Sequence, residues 1–194
     1  MGEKGTVSKE RMIRAMALSL ETRGYNGTGL NDIVESSGSP KGSIYFHFPG
    51  GKEDLAAEAI TSSGREMKAM LKALLHSSKT PVSGVAAIFK ALERKLIETD
   101  FSQGCPVATT ASETASLSNP VNDACRTIFE EWSGELEDYF VEKGWEKKEA
   151  SELATPILCL LEGAILLSRT NRDPGPMKSA AKAAKLLIQQ GETV

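Results

Sequence analysis

A chain of 194 residues with 40% hydrophobic content is long enough, and apolar enough, to bury a core of its own. Its net charge of −3 is unevenly placed: residues 1–52 carry +2 and the remainder −5, a basic end on an acidic body. Cys105, Cys125 and Cys159 stand far apart with no second ligand at metal spacing, and His47 and His76 leave few groups for proton transfer. With no Ser/His/Asp set and no phosphate-binding glycine loop, the composition argues against an enzyme and calls for no cofactor or metal.

In chain order, the first helix is predicted over Ser8–Thr22, with Ile13, Met16, Ala17 and Leu20 on one face and Gly24 ending it. Tyr25 then plugs a small core. Leu30, Ile33 and Val34 mark a second helix, stopped by Ser36-Ser37-Gly38, and Pro40 with Ser39 as N-cap opens a third that runs to about His47. Ile44 and Phe48 face inward, which leaves Lys41, Gly42, Ser43, Tyr45 and His47 outward or sideways. Two helices across a short glycine turn form a helix-turn-helix, whose second helix enters the major groove of DNA.

From Lys52 an amphipathic helix continues to about Leu75. Helical periodicity resumes over Pro81–Glu98, Cys105–Leu117, Pro120–Lys143, Lys147–Thr170 and Pro174–Gln190, with Pro or Gly near most junctions. Nothing alternates like a strand, so the expected fold is all-α with about nine helices. The division expected is a three-helix DNA-binding domain over residues 1–52 and a helical effector-binding and dimerisation domain over 53–194. The opening MGEKGTVSKERM lacks an apolar signal core, and the longest apolar stretch, residues 156–167, is broken by Glu162 and is shorter than the ~20 residues a bilayer span needs. A cytoplasmic protein without a membrane helix is expected.

The stretch from Thr28 to Lys52, TGLNDIVESSGSPKGSIYFHFPGGK, resembles the DNA-binding domain of the tetracycline-repressor (TetR) family of bacterial transcription regulators. The similarity covers Ser8 to about Ile60 and rests on Gly24-Tyr25, Thr28, Lys41-Gly42, Tyr45, His47-Phe48 and Lys52-Glu53. Many members place two residues between the His-Phe pair and the following lysine; here Pro49, Gly50 and Gly51 make three. That longer turn, with Gly104-Cys105-Pro106-Val107 and Ala111-Ser112-Glu113-Thr114, is similar to the LmrA/YxaF-like subgroup of drug- and flavonoid-responsive repressors.

The resemblance implies phosphate contacts from Thr28, Tyr45, His47 and Lys52. A lysine among the free N–H groups of a helix N-terminus makes a good phosphate seat on its own account. Ser39, Lys41, Gly42 and Ser43 sit at the end of the reading helix that reaches base edges, and sequence leaves open which of them reads.

The resemblance further implies a homodimer on a palindromic operator and an effector cavity lined from the middle helices. Candidates for the cavity are Met67, Met70, Leu71, Phe89, Leu92, Cys105, Thr109, Glu113, Phe129, Trp132, Leu136 and Glu162, each of which ordinary helical core also explains. Glu113 and Glu162 are the more telling, because a carboxylate in an apolar helical segment is costly unless paired or used. The last two helices offer Ile157, Leu161, Ile165, Ala184, Leu187 and Ile188 for a four-helix dimer interface. The leading expectation is a repressor released from DNA by a small, mainly apolar or aromatic molecule. An oxidant-responsive regulator with Cys105 as thiol switch is the alternative, since Cys105 stands beside Pro106 at a helix start, where the dipole favours a thiolate.

Overall fold

The structure, a computed structural model, describes residues 3–40, 42–116 and 119–191; Lys41 and Leu117, on which expectations fell, lie outside the described residues. Among the described residues there are nine helices and no strand: α1 (Glu3–Arg23), α2 (Leu30–Ser37), α3 (Ser43–His47), α4 (Lys52–His76), α5 (Pro81–Glu98), α6 (Pro106–Thr114), α7 (Pro120–Glu142), α8 (Lys147–Asn171) and α9 (Gly175–Gly191). The all-α expectation is met.

Local chemistry sets most boundaries. Gly24 ends α1 at φ +74°, a conformation costly for any residue with a Cβ. Gly38 closes α2 at φ 60°, returning its N–H to the Glu35 carbonyl while the Ser39 N–H reaches that of Val34. Thr80 and Ser83 cap α5 reciprocally ahead of Pro81, and the N–H of Ala108 donates to Sγ of Cys105 at the start of α6.

Two helix starts depart from expectation, that of α1, at Glu3 where Ser8 was expected, and that of the third helix. The third helix starts at Ser43 and not at Pro40, with Gly42 as N-cap. Ser39, the expected N-cap, is turned into the core, where its Oγ accepts a hydrogen bond from the Ser8 hydroxyl at 3.2 Å. A tertiary partner 31 residues away thus outweighs the local preference for Pro at a helix start.

The chain divides into two compact units, Met1–Arg65 with Cys105–Ile128, and Glu66–Gly104 with Phe129–Val194. The expected division at residue 52 gives α6 and the start of α7 to the second unit; packing gives them to the first. In that unit α6 packs on α1. Gly64 of α4 also approaches Ile128 of α7 so closely that a Cβ there would come within 2.5–2.6 Å of three of its side-chain carbons.

In the second unit α8 lies against α9 and α5. Its 25 residues have the length and hydropathy of a bilayer-crossing helix, a property the break at Glu162 had hidden in the sequence. Here its buried residues form a core with those of α5 and α9.

Five of the six expected dimer residues belong to that core. Ile157, Leu161, Ile165, Ala184 and Ile188 are buried within a single chain, and Leu187 is half-buried. Both helices are apolar on two faces, and periodicity does not say which face stays outside. The outward apolar residues are Leu166 (63% exposed), Leu167 (54%) and Leu186 (61%).

Candidate nucleic-acid interface

The first unit presents its short third helix on an apolar platform. Met12, Met16, Leu20, Ile33, Ile44, Phe48 and Leu55 are all 2% exposed or less. Ile44 and Phe48 hold α3 down, so the residues between them must point away. Tyr45 is 64% exposed and Phe46 72%, which puts two aromatic side chains side by side on the solvent face of a five-residue helix. His47 is half-buried between rings, with its centroid 4.9 Å from that of Phe46 and 6.2 Å from that of Phe48.

The turn after α3 is built to deliver a lysine. Gly51 adopts φ +66° beneath the Tyr45 ring, and Asp54 in the first turn of α4 accepts the Gly50 N–H at 2.6 Å. Lys52 follows at the head of α4, its Nζ 4.3 Å from the centroid of the Tyr25 ring. Burial lowers the Lys52 pKa below the ordinary lysine value, and the Glu113 carboxylate works against that shift. Burial also raises the Tyr25 phenol, with Glu53 adding to it.

Other residues of the expected site are placed differently. The Thr28 side chain is 2% exposed, and its hydroxyl donates to the Gly24 carbonyl at 2.6 Å. Since each hydroxyl has one proton, the Ser19 hydroxyl donates to Thr28 Oγ1 at 2.7 Å, and Arg23 Nε in turn donates to Ser19 Oγ at 3.1 Å. This chain of bonds ties α1 to the start of α2 and withdraws the Thr28 hydroxyl from any phosphate. Ser39 is likewise buried on Ser8. Gly42 is exposed with nothing within 4 Å of where a Cβ would stand, and Ser43 is half-buried.

The expected effector residues fall into two groups. Leu71, Phe89, Leu92, Trp132 and Leu136 are buried in the second unit, where Met67, Met70, Phe129 and Glu162 are half-buried and Phe129 meets Trp132 edge to face at 5.7 Å. Cys105, Thr109 and Glu113 belong to the first unit. There the Glu113 carboxylate accepts the backbone N–H of Asn26 at 2.6 Å, and the Thr109 methyl sits 3.4 Å from where a Cβ on Gly24 would be. The cost of a carboxylate in an apolar helix is therefore met at the corner after α1. Phe46 stands outside the expected set, although a large apolar side chain one position from an outward tyrosine is a usable sign of a working surface.

A five-residue helix with an aromatic outer face, set on a three-helix core beside a lysine at a helix head, defines a helix-turn-helix DNA-binding protein. Residues 8–59 match the bacterial regulatory proteins of the tetR family, and residues 81–183 match the C-terminal domain of LmrA/YxaF-like transcriptional regulators. The uncharacterized HTH-type transcriptional regulator YxaF of Bacillus subtilis is 35% identical over 94% of this chain and 96% of its own. The HTH-type transcriptional regulator LmrA of the same organism is 35% identical over 88% of this chain and 90% of its own. In fold, the crystal structure of a regulatory protein TetR from Rhodobacter sphaeroides superposes with a TM-score of 0.83 at 23% identity, over 93% of this chain and 98% of that one. The chain belongs to the TetR family of DNA-binding transcriptional regulators, in its LmrA/YxaF-like branch, and is not an enzyme.

Proposed function

We propose that the protein is a cytoplasmic repressor that binds a palindromic operator as a homodimer and leaves it when a small, mainly apolar or aromatic effector binds. The observation that carries the DNA side of this reading is the outward pair Tyr45 and Phe46 on α3 beside Lys52 on its aromatic seat. Lys52 and Tyr45 grip phosphate, while Phe46 supplies apolar contact to thymine methyl groups or sugar edges in the major groove. His47, Gly42 and Ser43 complete the surface, with Lys41 assigned by the family pattern alone.

Dimerisation is assigned to the outward face of α8 and α9 around Leu166, Leu167 and Leu186. A two-fold dimer that reads successive major grooves of B-DNA with its two α3 helices needs them about 34 Å apart, one helical turn, and such symmetry calls for a palindrome. The effector site is assigned to the second unit, among Met67, Met70, Phe129, Trp132 and Glu162, residues that suit a flat, mainly apolar molecule with a few polar groups. Because α4 contributes to both units, a displacement at its C-terminal half moves Lys52 at its head. Coupling of about 1–3 kcal/mol would weaken operator binding roughly 5- to 150-fold. The thiol-switch alternative draws little support from Cys105, which is 6% exposed and receives the Ala108 N–H.

The test is selection of bound fragments from random and genomic DNA by the purified protein, repeated with Tyr45→Phe and Lys52→Ala. Recovery of a palindrome, weakened by both substitutions, supports the reading. Absence of any enriched sequence at moderate salt would overturn it. Unchanged operator affinity at saturating levels of a molecule shown to bind would remove the effector-release part alone.

A further inference from the structure

The loop from Gly24 to Gly29 joins α1 to α2 without any capping side chain of its own: the N-cap of α2 is Gly29. The Asn26 N–H in this loop is taken by the Glu113 carboxylate, 87 residues further along the chain. Gly24 leaves room for this approach, since a Cβ there would overlap Glu113 Oε1 and push the carboxylate aside. The Thr109 methyl, one turn earlier on α6, stands 3.4 Å from where that Cβ would be, so α6 lines the corner on the side that Gly24 leaves open. Tyr25 lies between the two corner residues, and its ring carries the Lys52 ammonium at 4.3 Å.

A carboxylate this close to a DNA-facing lysine repels phosphate, so as a charge it works against binding. Its geometry works for binding. By fixing Gly24 and Asn26 it fixes Tyr25, and by fixing Tyr25 it fixes Lys52. We infer that Glu113 is a positioning residue for the DNA interface, through which α6 holds the Tyr25–Lys52 pair where it can grip phosphate. The inference rests on the reading of Lys52 as a phosphate contact. It makes the placement of α6 a determinant of operator affinity although α6 itself touches no DNA.

The test compares the full-length protein with Lys52→Ala, Glu113→Ala, Glu113→Gln and the Lys52→Ala/Glu113→Ala double variant. The probe is a fluorescent duplex carrying a fragment recovered in the selection above, titrated over a range of salt, with thermal unfolding recorded for each variant. Loss of one phosphate contact per protomer removes two from the operator-bound dimer, which lowers the salt slope by ~1.8 and affinity at moderate salt by at least about tenfold. Glu113→Ala is expected to reproduce the slope of Lys52→Ala, and the double variant to bind no more weakly than Lys52→Ala. Glu113→Gln, which keeps an acceptor for Asn26, is expected to restore the slope. A wild-type slope for Glu113→Ala beside a lowered one for Lys52→Ala, or additive losses in the double variant, would overturn the inference and leave the phosphate reading intact. A wild-type slope for Lys52→Ala would remove that reading and the inference with it. A residue that only stabilises the fold would lower the unfolding temperature of Glu113→Ala without moving the slope.

Discussion

Replacing Gly64 by alanine sets two effects of similar size against each other. In an exposed helix interior the change stabilises by about 1 kcal/mol. At Gly64 the new Cβ would stand 2.5 Å from Ile128 Cγ2 and 2.6 Å from Cδ1 and Cγ1. Ile128 is branched at Cβ, which stiffens its side chain, and is 1% exposed. Overpacking of this kind costs about 1–3 kcal/mol, and three simultaneous overlaps against a stiff side chain place it near the top of that range. The net expectation is a loss of about 2 kcal/mol, a fall of roughly 4–8 °C in melting temperature for a chain of this length. Circular dichroism melts of four proteins decide the matter: wild type, Gly64→Ala, Ile128→Ala and the double variant. Ile128→Ala alone costs about 2–5 kcal/mol for the cavity it leaves. The alanine methyl at 64 then fills part of that cavity, so the double variant is expected to lose at least ~1 kcal/mol less than the sum of the single losses. A Gly64→Ala protein that melts above wild type, or losses that add, would show that α4 and α7 do not pack as described.

Three further outcomes are expected. Thr28→Val strands the Ser19 hydroxyl and the Gly24 carbonyl, and should cost about 1–3 kcal/mol of stability while leaving the salt slope of DNA binding unchanged; a lowered slope would return Thr28 to the phosphate contacts. Leu166→Glu forces a charge into the proposed dimer face, and sedimentation should show the dimer dissociation constant rising about 100-fold with helix content unchanged, whereas an intact dimer would relocate the interface. Among the cysteines only Cys159 should react promptly with a thiol reagent in the monomeric Leu166→Glu protein, because Cys105 and Cys125 are buried within the chain. Burial pushes the Cys125 thiol from 9.0 up to about 11, so the folded state holds that proton more tightly than the unfolded chain. The stability it supports is full below pH 9.0 and lost as pH rises through about 11, a limb that urea titrations of Cys125→Ala should lack.

The elements were legible because this chain punctuates them with residues whose backbone limits are local. Gly24, Gly38, Pro81, Pro106 and Pro120 mark helix ends or starts within a residue or two of where they fall. What was not legible depended on partners remote in sequence. Ser39 looks like a helix cap until Ser8 claims it, and Thr28 looks like a surface hydroxyl until Ser19 and Gly24 enclose it. Glu113 stands out in the sequence as a carboxylate in an apolar segment and is expected there at an effector cavity, but no local pattern points from α6 to Asn26. The two apolar faces of α8 carry the same periodicity, so choosing between Leu161 and Leu166 as the outward residue required the packing itself.

The discontinuity of the first unit bears on how the protein can be taken apart. A fragment ending at Arg65 would keep every residue assigned above to DNA contact and would still lack Cys105–Ile128. Its Asn26 N–H would lose its acceptor and Gly64 would lose the side chain it packs on. Grafting the DNA specificity of this regulator onto another sensor therefore calls for two splices, with α6 and the first turns of α7 travelling with the head. Conversely, a head moved without α6 needs from its new body a hydrogen-bond acceptor for the Asn26 N–H, where Glu113 stands in this chain.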